Sequence, residues 1–253
     1  MKPRIAFTVA DDKNRPYAEM LAKSLRKFYD AKTLPFKIYG KEDIAKFKDP
    51  AFFYRATPLI AKDLIKEYEL VIKIDADSLI TGNLDFILNS TGWDVGTVYN
   101  WNRTDPLTYG LVSVASLAPQ EYFNCGFVAM RDADFINHWD RLCHSVHFDR
   151  LQYREQDILN LICHYGNFKV KCFDDYDPVY NYSAWHGLRS KGEWNKIIIK
   201  DNELVLPKAE DRYPERDKLI KVIHWAGGNQ DIKMNYRTFF NEEVISYIDG
   251  LLK

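Results

Sequence analysis

Alternating strand and helix patterns predict an α/β protein: a mostly parallel mixed sheet, Rossmann-like, with helices on both faces. Three observations carry this. Hydrophobic residues make up 46% of the 253 residues, ample material for a core. Short apolar runs alternate with segments of helical spacing from the first residues to the last. One run, Leu70-Val71-Ile72-Lys73-Ile74, is almost continuously apolar, as a strand covered on both faces should be.

The elements follow in order. Residues 5–10 read as a buried strand. Tyr17, Leu21, Leu25 and Phe28 then recur at helical spacing behind Pro16, which suits a first helical turn. Residues 36–39 form a second strand. Thr57-Pro58 reads as a helix start, with Thr57 as N-cap and Leu59, Ile60, Leu64, Ile65 and Tyr68 on the apolar side. Residues 70–74 are the third strand, and 94–99 and 126–130 continue the pattern. Phe135, Trp139, Leu142 and Val146 mark a helix, and Ile158, Leu159 and Ile162 another. Residues 168–172 and 219–224 look like later strands. Residues 176–217 are less regular and leave room for an acceptor-facing lobe. A tail helix over 242–251 mixes charged and apolar residues and is expected to pack on the protein rather than on a membrane. The length fits one large domain spanning 1–253.

Composition excludes several classes. The net charge is -1, without the basic excess of a dedicated nucleic-acid binder. No leader and no run of ~18 apolar residues is visible, so the expected location is the cytoplasm. Cys125, Cys143, Cys163 and Cys172 contain no Cys-x-x-Cys pair and read as reduced core thiols. Dinucleotide and P-loop glycine motifs are missing, as are the Gly-x-Ser-x-Gly and His-Glu-x-x-His signatures.

Four constellations carry chemistry. Asp75 and Asp77 stand two residues apart just past the third strand, where a parallel sheet presents its ligands. Two carboxylates so placed can reach one hard cation or its bound water, or can serve turn and cap chemistry. Asp132-Ala133-Asp134 has the same form but precedes a helix, and reads as N-terminal capping. Asp175-Tyr176-Asp177 also has it, without a preceding apolar strand. Val222-Ile223-His224-Trp225-Ala226-Gly227-Gly228 ends a strand in a histidine before a glycine pair. That imidazole could ligate a manganese-like ion or simply be a buried, hydrogen-bonded histidine. Asn124-Cys125-Gly126 and Glu155-Gln156-Asp157 supply side chains that bind sugar hydroxyls, although the second run also suits a helix start. Arg55 could clamp a phosphate or be solvated.

Taken in this order, the pieces resemble a GT-A glycosyltransferase. More narrowly, they resemble the retaining family that contains glycogenin and the bacterial lipopolysaccharide galactosyltransferases. The likeness runs from Ile5 to about Asn235. It implies that Thr8, Ala10, Asp11 and Tyr17 form the uracil end, with Asp11 and the backbone near Ala10 touching the base. Arg55 matches an arginine near the donor. Asp75-Ala76-Asp77 matches the metal motif, Asn124-Cys125-Gly126 its Asn-Ser-Gly, Glu155-Gln156-Asp157 its Asp-Gln-Asp and His224-Trp225-Ala226-Gly227 its His-x-x-Gly. The resemblance implies a UDP-sugar donor, a glycan or small-molecule hydroxyl acceptor, and Mn2+ or Mg2+ held by Asp75, Asp77 and His224. It puts Asn124, Glu155 and Gln156 at the sugar, Gln156 near its reacting carbon. Residues 1–100 would serve the nucleotide and 101–240 the donor sugar and acceptor. Two departures stand out. Glu155 replaces the usual aspartate, and the family's closing Lys-Pro-Trp is missing. Gln230 takes the lysine's place, leaving Gly227 and the nearby Lys233 for the diphosphate.

Overall fold

The computed structural model describes residues 3–45, 52–100, 107–109, 112–115, 122–145, 147–175, 180, 182–183, 197–208, 216–225, 236–238 and 240–253. The first half runs β1 (Arg4–Val9), α1 (Arg15–Arg26), β2 (Phe36–Tyr39), α2 (Lys41–Ala45), α3 (Phe52–Leu64), β3 (Leu70–Ile74), β4 (Ser78–Ile80), α4 (Asp85–Asn89) and β5 (Val95–Tyr99). It continues through β6 (Leu107–Tyr109), β7 (Val112–Ala115), β8 (Phe123–Met130), α5 (Ala133–Cys143), α6 (Glu155–Tyr165) and β9 (Val170–Cys172). The last part holds β10 (Tyr182–Ser183), β11 (Ile198–Lys200), β12 (Glu203–Leu206), β13 (Lys218–Leu219), β14 (Val222–His224) and α7 (Glu242–Leu252).

Six strands make the central sheet, in the order β2-β1-β3-β8-β5-β9. β1 pairs in parallel with β2 and β3, and β5 with β9. β8 runs antiparallel between β3 and β5. The carboxyl end of β3 therefore lies beside the amino-terminal half of β8, which is how Asp75 comes to bond with Gly126 (N···O 2.7 Å). Strand alternation sends successive side chains to opposite faces. Ile5, Phe7, Val71, Val128 and Met130 pack with Ala56, Ile60, Trp139 and Leu159 of α3, α5 and α6. Ala6, Ile72, Ile74, Phe127 and Ala129 pack with Leu21, Leu25 and Ile87 of α1 and α4 on the other face. A third cluster joins Leu79, Ile223 and Trp225 to Val244 and Ile248 of α7, so the tail helix packs on the protein as expected. All four cysteines are free and buried. Among the described residues no helix is long and apolar enough to cross a membrane.

Several element boundaries differ from the sequence expectation. α3 begins at Phe52, so Thr57 is not its cap and Pro58 lies inside the helix. A proline there gives up its bond to the residue four back and crowds that residue's carbonyl. Burial of Ala56, Ile60 and Ala61 in the core holds the helix through that gap. The expected strand over 219–224 is two strands in different sheets, β13 and β14. Thr81 donates twice at the break: its N–H to the Lys221 carbonyl (2.9 Å) and its hydroxyl to the Ile220 carbonyl (2.7 Å). β8 starts at Phe123 rather than Gly126, which places Asn124 and Cys125 inside a strand. α5 ends at Cys143 and is capped by Asp132, whose carboxylate accepts from Phe135 N at 2.7 Å, as expected. Much of 176–217 lies outside the described residues.

α6 is fastened to β8 by Asn160, which is fully buried. Its side chain accepts from Phe123 N (2.7 Å) and donates to the Phe123 and Gln156 carbonyls (2.9 and 2.8 Å). Replacing Asn160 with alanine orphans both backbone groups of Phe123. The expected loss in urea unfolding is about 2–4 kcal/mol; a loss within error of wild type would mean α6 is held by its apolar face alone.

Candidate active site

The candidate metal-ligating residues are assembled by two short strands. β3 ends at Ile74, and a turn closed by Ser78 N bonding the Asp75 carbonyl (3.0 Å) reverses the chain into β4. β4 pairs antiparallel with β14, setting His224 opposite Ser78. A further bond, Trp225 N to the Asp77 carbonyl (3.1 Å), fixes the register. His224 Nε2 then lies 3.4 Å from Asp75 Oδ2 and 3.2 Å from Asp77 Oδ1. One ligand atom from each of Asp75, Asp77 and His224 falls within 4.8 Å of the others. Gly126 makes this possible: a Cβ there would sit 2.3 Å from His224 Cε1 and 2.6 Å from Asn124 Oδ1.

Charge is concentrated at this point. Burial opposes a proton on His224, but the Asp77 and Asp75 carboxylates outweigh it and raise the imidazole to about 9. Burial would also raise Asp75, yet the Lys73 ammonium and His224 hold it well below the usual carboxylate range. Lys73 itself is buried on β3, donates to Asp75 Oδ1 and lies 2.6 Å from the Cys125 carbonyl. Two carboxylates and an imidazole converging on one point fit a divalent cation of the manganese class, which would displace the imidazole proton.

The residues expected at the sugar lie along β8 and the start of α6. Asn124 Oδ1 accepts from Gly126 N (2.7 Å), and its amide donates to Asn100 Oδ1 (3.4 Å). Gln156 Oε1 accepts from Cys125 N (3.1 Å). Glu155 brings one oxygen to 3.9 Å from Cys125 Sγ, while Oε2 is buried without a hydrogen-bond partner among the described residues. Burial pushes this carboxyl up to about 8, so at neutral pH it is mainly a hydrogen-bond donor. Arg154, just before α6, holds a φ of 47°, a left-handed conformation that costs a non-glycine residue energy. Asp157 points the other way: it accepts from the Tyr122 hydroxyl and from Tyr153 N (2.7 Å), anchoring rather than facing the site.

The residues expected at the nucleotide are partly gathered. Ala10, Ala18 and Ala76 pack together, so β1, α1 and the metal motif meet. Ala10 N bonds the Tyr39 carbonyl (2.9 Å). Thr8 is fully buried, and its hydroxyl has no hydrogen-bond partner among the described residues. Asp11 Oδ1 accepts from Asn14 N (2.8 Å), closing the turn into α1. Tyr17 is buried, with 6% exposed. Arg55 stacks over Phe148, 4.7 Å from the ring centre, and faces Asp149 at 3.8 Å. Gly227, Gln230 and Lys233 lie outside the described residues. Sequence reasoning passed over Lys73 and Asn100 as site residues. A lysine inside an otherwise apolar strand was the available signal for the first; nothing in the pattern marked the second.

Two outcomes follow from this geometry. Glu155 keeps a proton in the folded state that the unfolded chain releases above its ordinary value of 4.5. Its stabilising contribution is complete below about pH 4.5 and lost as pH rises to about 8. Between pH 5 and 8.5 the wild type should therefore lose roughly 1–3 kcal/mol more stability than Glu155→Gln, read from urea midpoints; parallel profiles would contradict the raised carboxyl. Gly126→Ala should weaken Mn2+ binding by roughly tenfold or more while the chain still folds, because the added methyl pushes His224 aside. An unchanged affinity in a Mn2+ titration would remove His224 from the ligand set.

No family model matches the sequence, and no curated protein matches it. Solved structures do resemble the fold. The WbbM bifunctional glycosyltransferase superposes with a TM-score of 0.59 at 14% identity, over 97% of this chain and 51% of that one. This chain therefore spans about half the length of WbbM. The galactosyltransferase LgtC, solved with donor and acceptor sugar analogs, matches over 97% of this chain and 100% of its own, at 16% identity and a TM-score of 0.50. A glycosyltransferase involved in glycosylating the major capsid of PBCV-1 matches over 93% and 98%, at 11% identity and a TM-score of 0.57. At these identities the likeness is one of architecture: the chain has the GT-A glycosyltransferase fold.

Proposed function

We propose that the chain is a metal-dependent retaining glycosyltransferase that moves a hexose from a UDP-sugar to a glycan or other hydroxyl acceptor. The observation that carries this reading is the convergence of Asp75, Asp77 and His224 beside Asn124 and Gln156 at one edge of the sheet. The GT-A architecture and the solved sugar complex of LgtC support it. Residues 1–253 would form one unit, with 1–100 serving the nucleotide and 101–240 the donor sugar and acceptor.

Breaking a sugar–diphosphate bond leaves negative charge on the nucleotide. A divalent cation held by Asp75, Asp77 and His224, with Mn2+ the best fit and Mg2+ the alternative, supplies positive charge for that leaving group. Asp11 and the Ala10 backbone hold the base, with Thr8, Tyr17 and Ala76 shaping its seat. Gly227, Lys233 and Arg55 assist the diphosphate. Asn124 and Glu155 orient sugar hydroxyls, Glu155 by donating the proton that burial keeps on it.

Gln156 stands nearest the reacting carbon in this reading. Its carbonyl oxygen is engaged by Cys125 N, and an amide is a poor nucleophile. With Glu155 neutral, the described sugar-side residues offer no carboxylate for a covalent intermediate. Attack from the leaving-group face therefore fits better: the acceptor oxygen bonds the anomeric carbon as the diphosphate oxygen departs, and the acceptor's proton passes to that oxygen.

A thermal-shift panel tests the reading. UDP with Mn2+ at about 100 times its dissociation constant should add roughly 2.7 kcal/mol and raise the midpoint by roughly 5–10 °C. GDP or ADP should do less, and a GDP preference would overturn the uridine assignment. Hydrolysis of a UDP-hexose should follow. Asp77→Ala should abolish its metal-dependent part; persistence of that part would overturn the metal set. Binding without any turnover, across UDP-hexoses and with acceptor sugars present, would identify a nucleotide-binding relative that has lost catalysis.

A further inference from the structure

The acidic pair of the proposed metal site does not face solvent and metal alone. Behind it, on β3, lies Lys73, with only 6% of its side chain exposed against 35% for that of Asp75. Its ammonium is bound on one side to Asp75 Oδ1 and on the other to the Cys125 carbonyl at 2.6 Å. The other oxygen of Asp75, Oδ2, lies 3.4 Å from His224 Nε2. The Cys125 peptide held by Lys73 also receives Gln156 on its N–H, and Asn124 precedes it in the same strand. One buried cation thus ties the metal side of the site to the sugar side.

We infer that Lys73 is a positioning residue, a built-in counter-cation that neutralises Asp75 and fixes it on one oxygen, so that the site stands assembled before any metal arrives. The inference rests on the metal reading of Asp75, Asp77 and His224. Its physical content is a competition. An ammonium fixed on a ligand carboxylate repels an incoming dication and occupies an oxygen the ion would otherwise share. Lys73 therefore stabilises the metal-free site and weakens its hold on the metal. A lysine that merely cross-links β3 to β8 through the Cys125 carbonyl would contribute stability without touching metal affinity.

Lys73→Met keeps the length and apolar stem and removes the charge. Its metal-free melting temperature should fall by several degrees, and Mn2+ should raise it by more than it raises wild type. The Mn2+ dissociation constant, from calorimetry or electron paramagnetic resonance, should tighten roughly tenfold or more. An equal Mn2+ response in both proteins, or a weaker one in the variant, would overturn the counter-cation role while leaving the metal site standing. If wild type shows no Mn2+ response at all, the metal reading itself fails and this inference with it. Should Lys73→Met not fold, Asp75→Asn reads the pair from the other side. Stranding a buried ammonium, it should cost more metal-free stability than Asp77→Asn. An equal or smaller cost would also overturn the pairing.

Discussion

Two carboxylates and a buried imidazole packed within hydrogen-bonding distance are an electrostatic liability, and everything about this end of the fold serves to contain it. The containment is charge compensation in two pairs. Lys73 neutralises Asp75 from behind, and the proton on His224 answers Asp77 from the front. Each partner alone would be costly to bury. Together they hold ionised groups at the rim of a sheet whose interior is otherwise apolar. A cation at such a site would have to exchange for that proton, which would link any metal binding there to pH.

The fold converts this compensation into a place where chemistry can occur. β8 is antiparallel to its neighbours, so the amino-terminal half of one strand meets the carboxyl end of another. Asn124, Cys125 and Gly126 are thereby delivered next to Asp75 from far along the chain. Gly126 is the point of closest approach, and its missing side chain is the space that His224 occupies. α6 then brings Glu155 and Gln156 to the same peptide, held in position by Asp157 and Asn160 on its inner side. Within one short helical run, two residues face the site and two others pin the helix that carries them.

Much of this was legible in the residues. The five-residue apolar run 70–74 with acids directly after it marked both a covered strand and the end of it where Asp75 and Asp77 meet His224. The histidine closing the strand before the glycines at 227–228 was recognisable for the same reason, and Asp132 was separated from Asp75 by the helix that follows it. Boundaries were less legible where burial overrode local preference. Pro58 inside α3 is tolerated because Ala56 and Ile60 are sealed in the core. The division of 219–224 between two sheets follows from bonds to Thr81, which no pattern within that segment could show.

Local sequence determined the succession of the main strands and helices, the mostly parallel character of the sheet and the identity of the acids that lie at its end, because periodicity and residue type act over a few neighbours; short elements such as β4 carried no such signal. Tertiary structure alone decided which groups those acids would meet. That Lys73 turns onto Asp75, that Glu155 is buried deeply enough to keep its proton, and that Asp157 bonds Tyr122 and Tyr153 instead depend on strand order and on the depth of packing. Those are properties of residues far apart in the chain, and electrostatic energy depends on their separation in space.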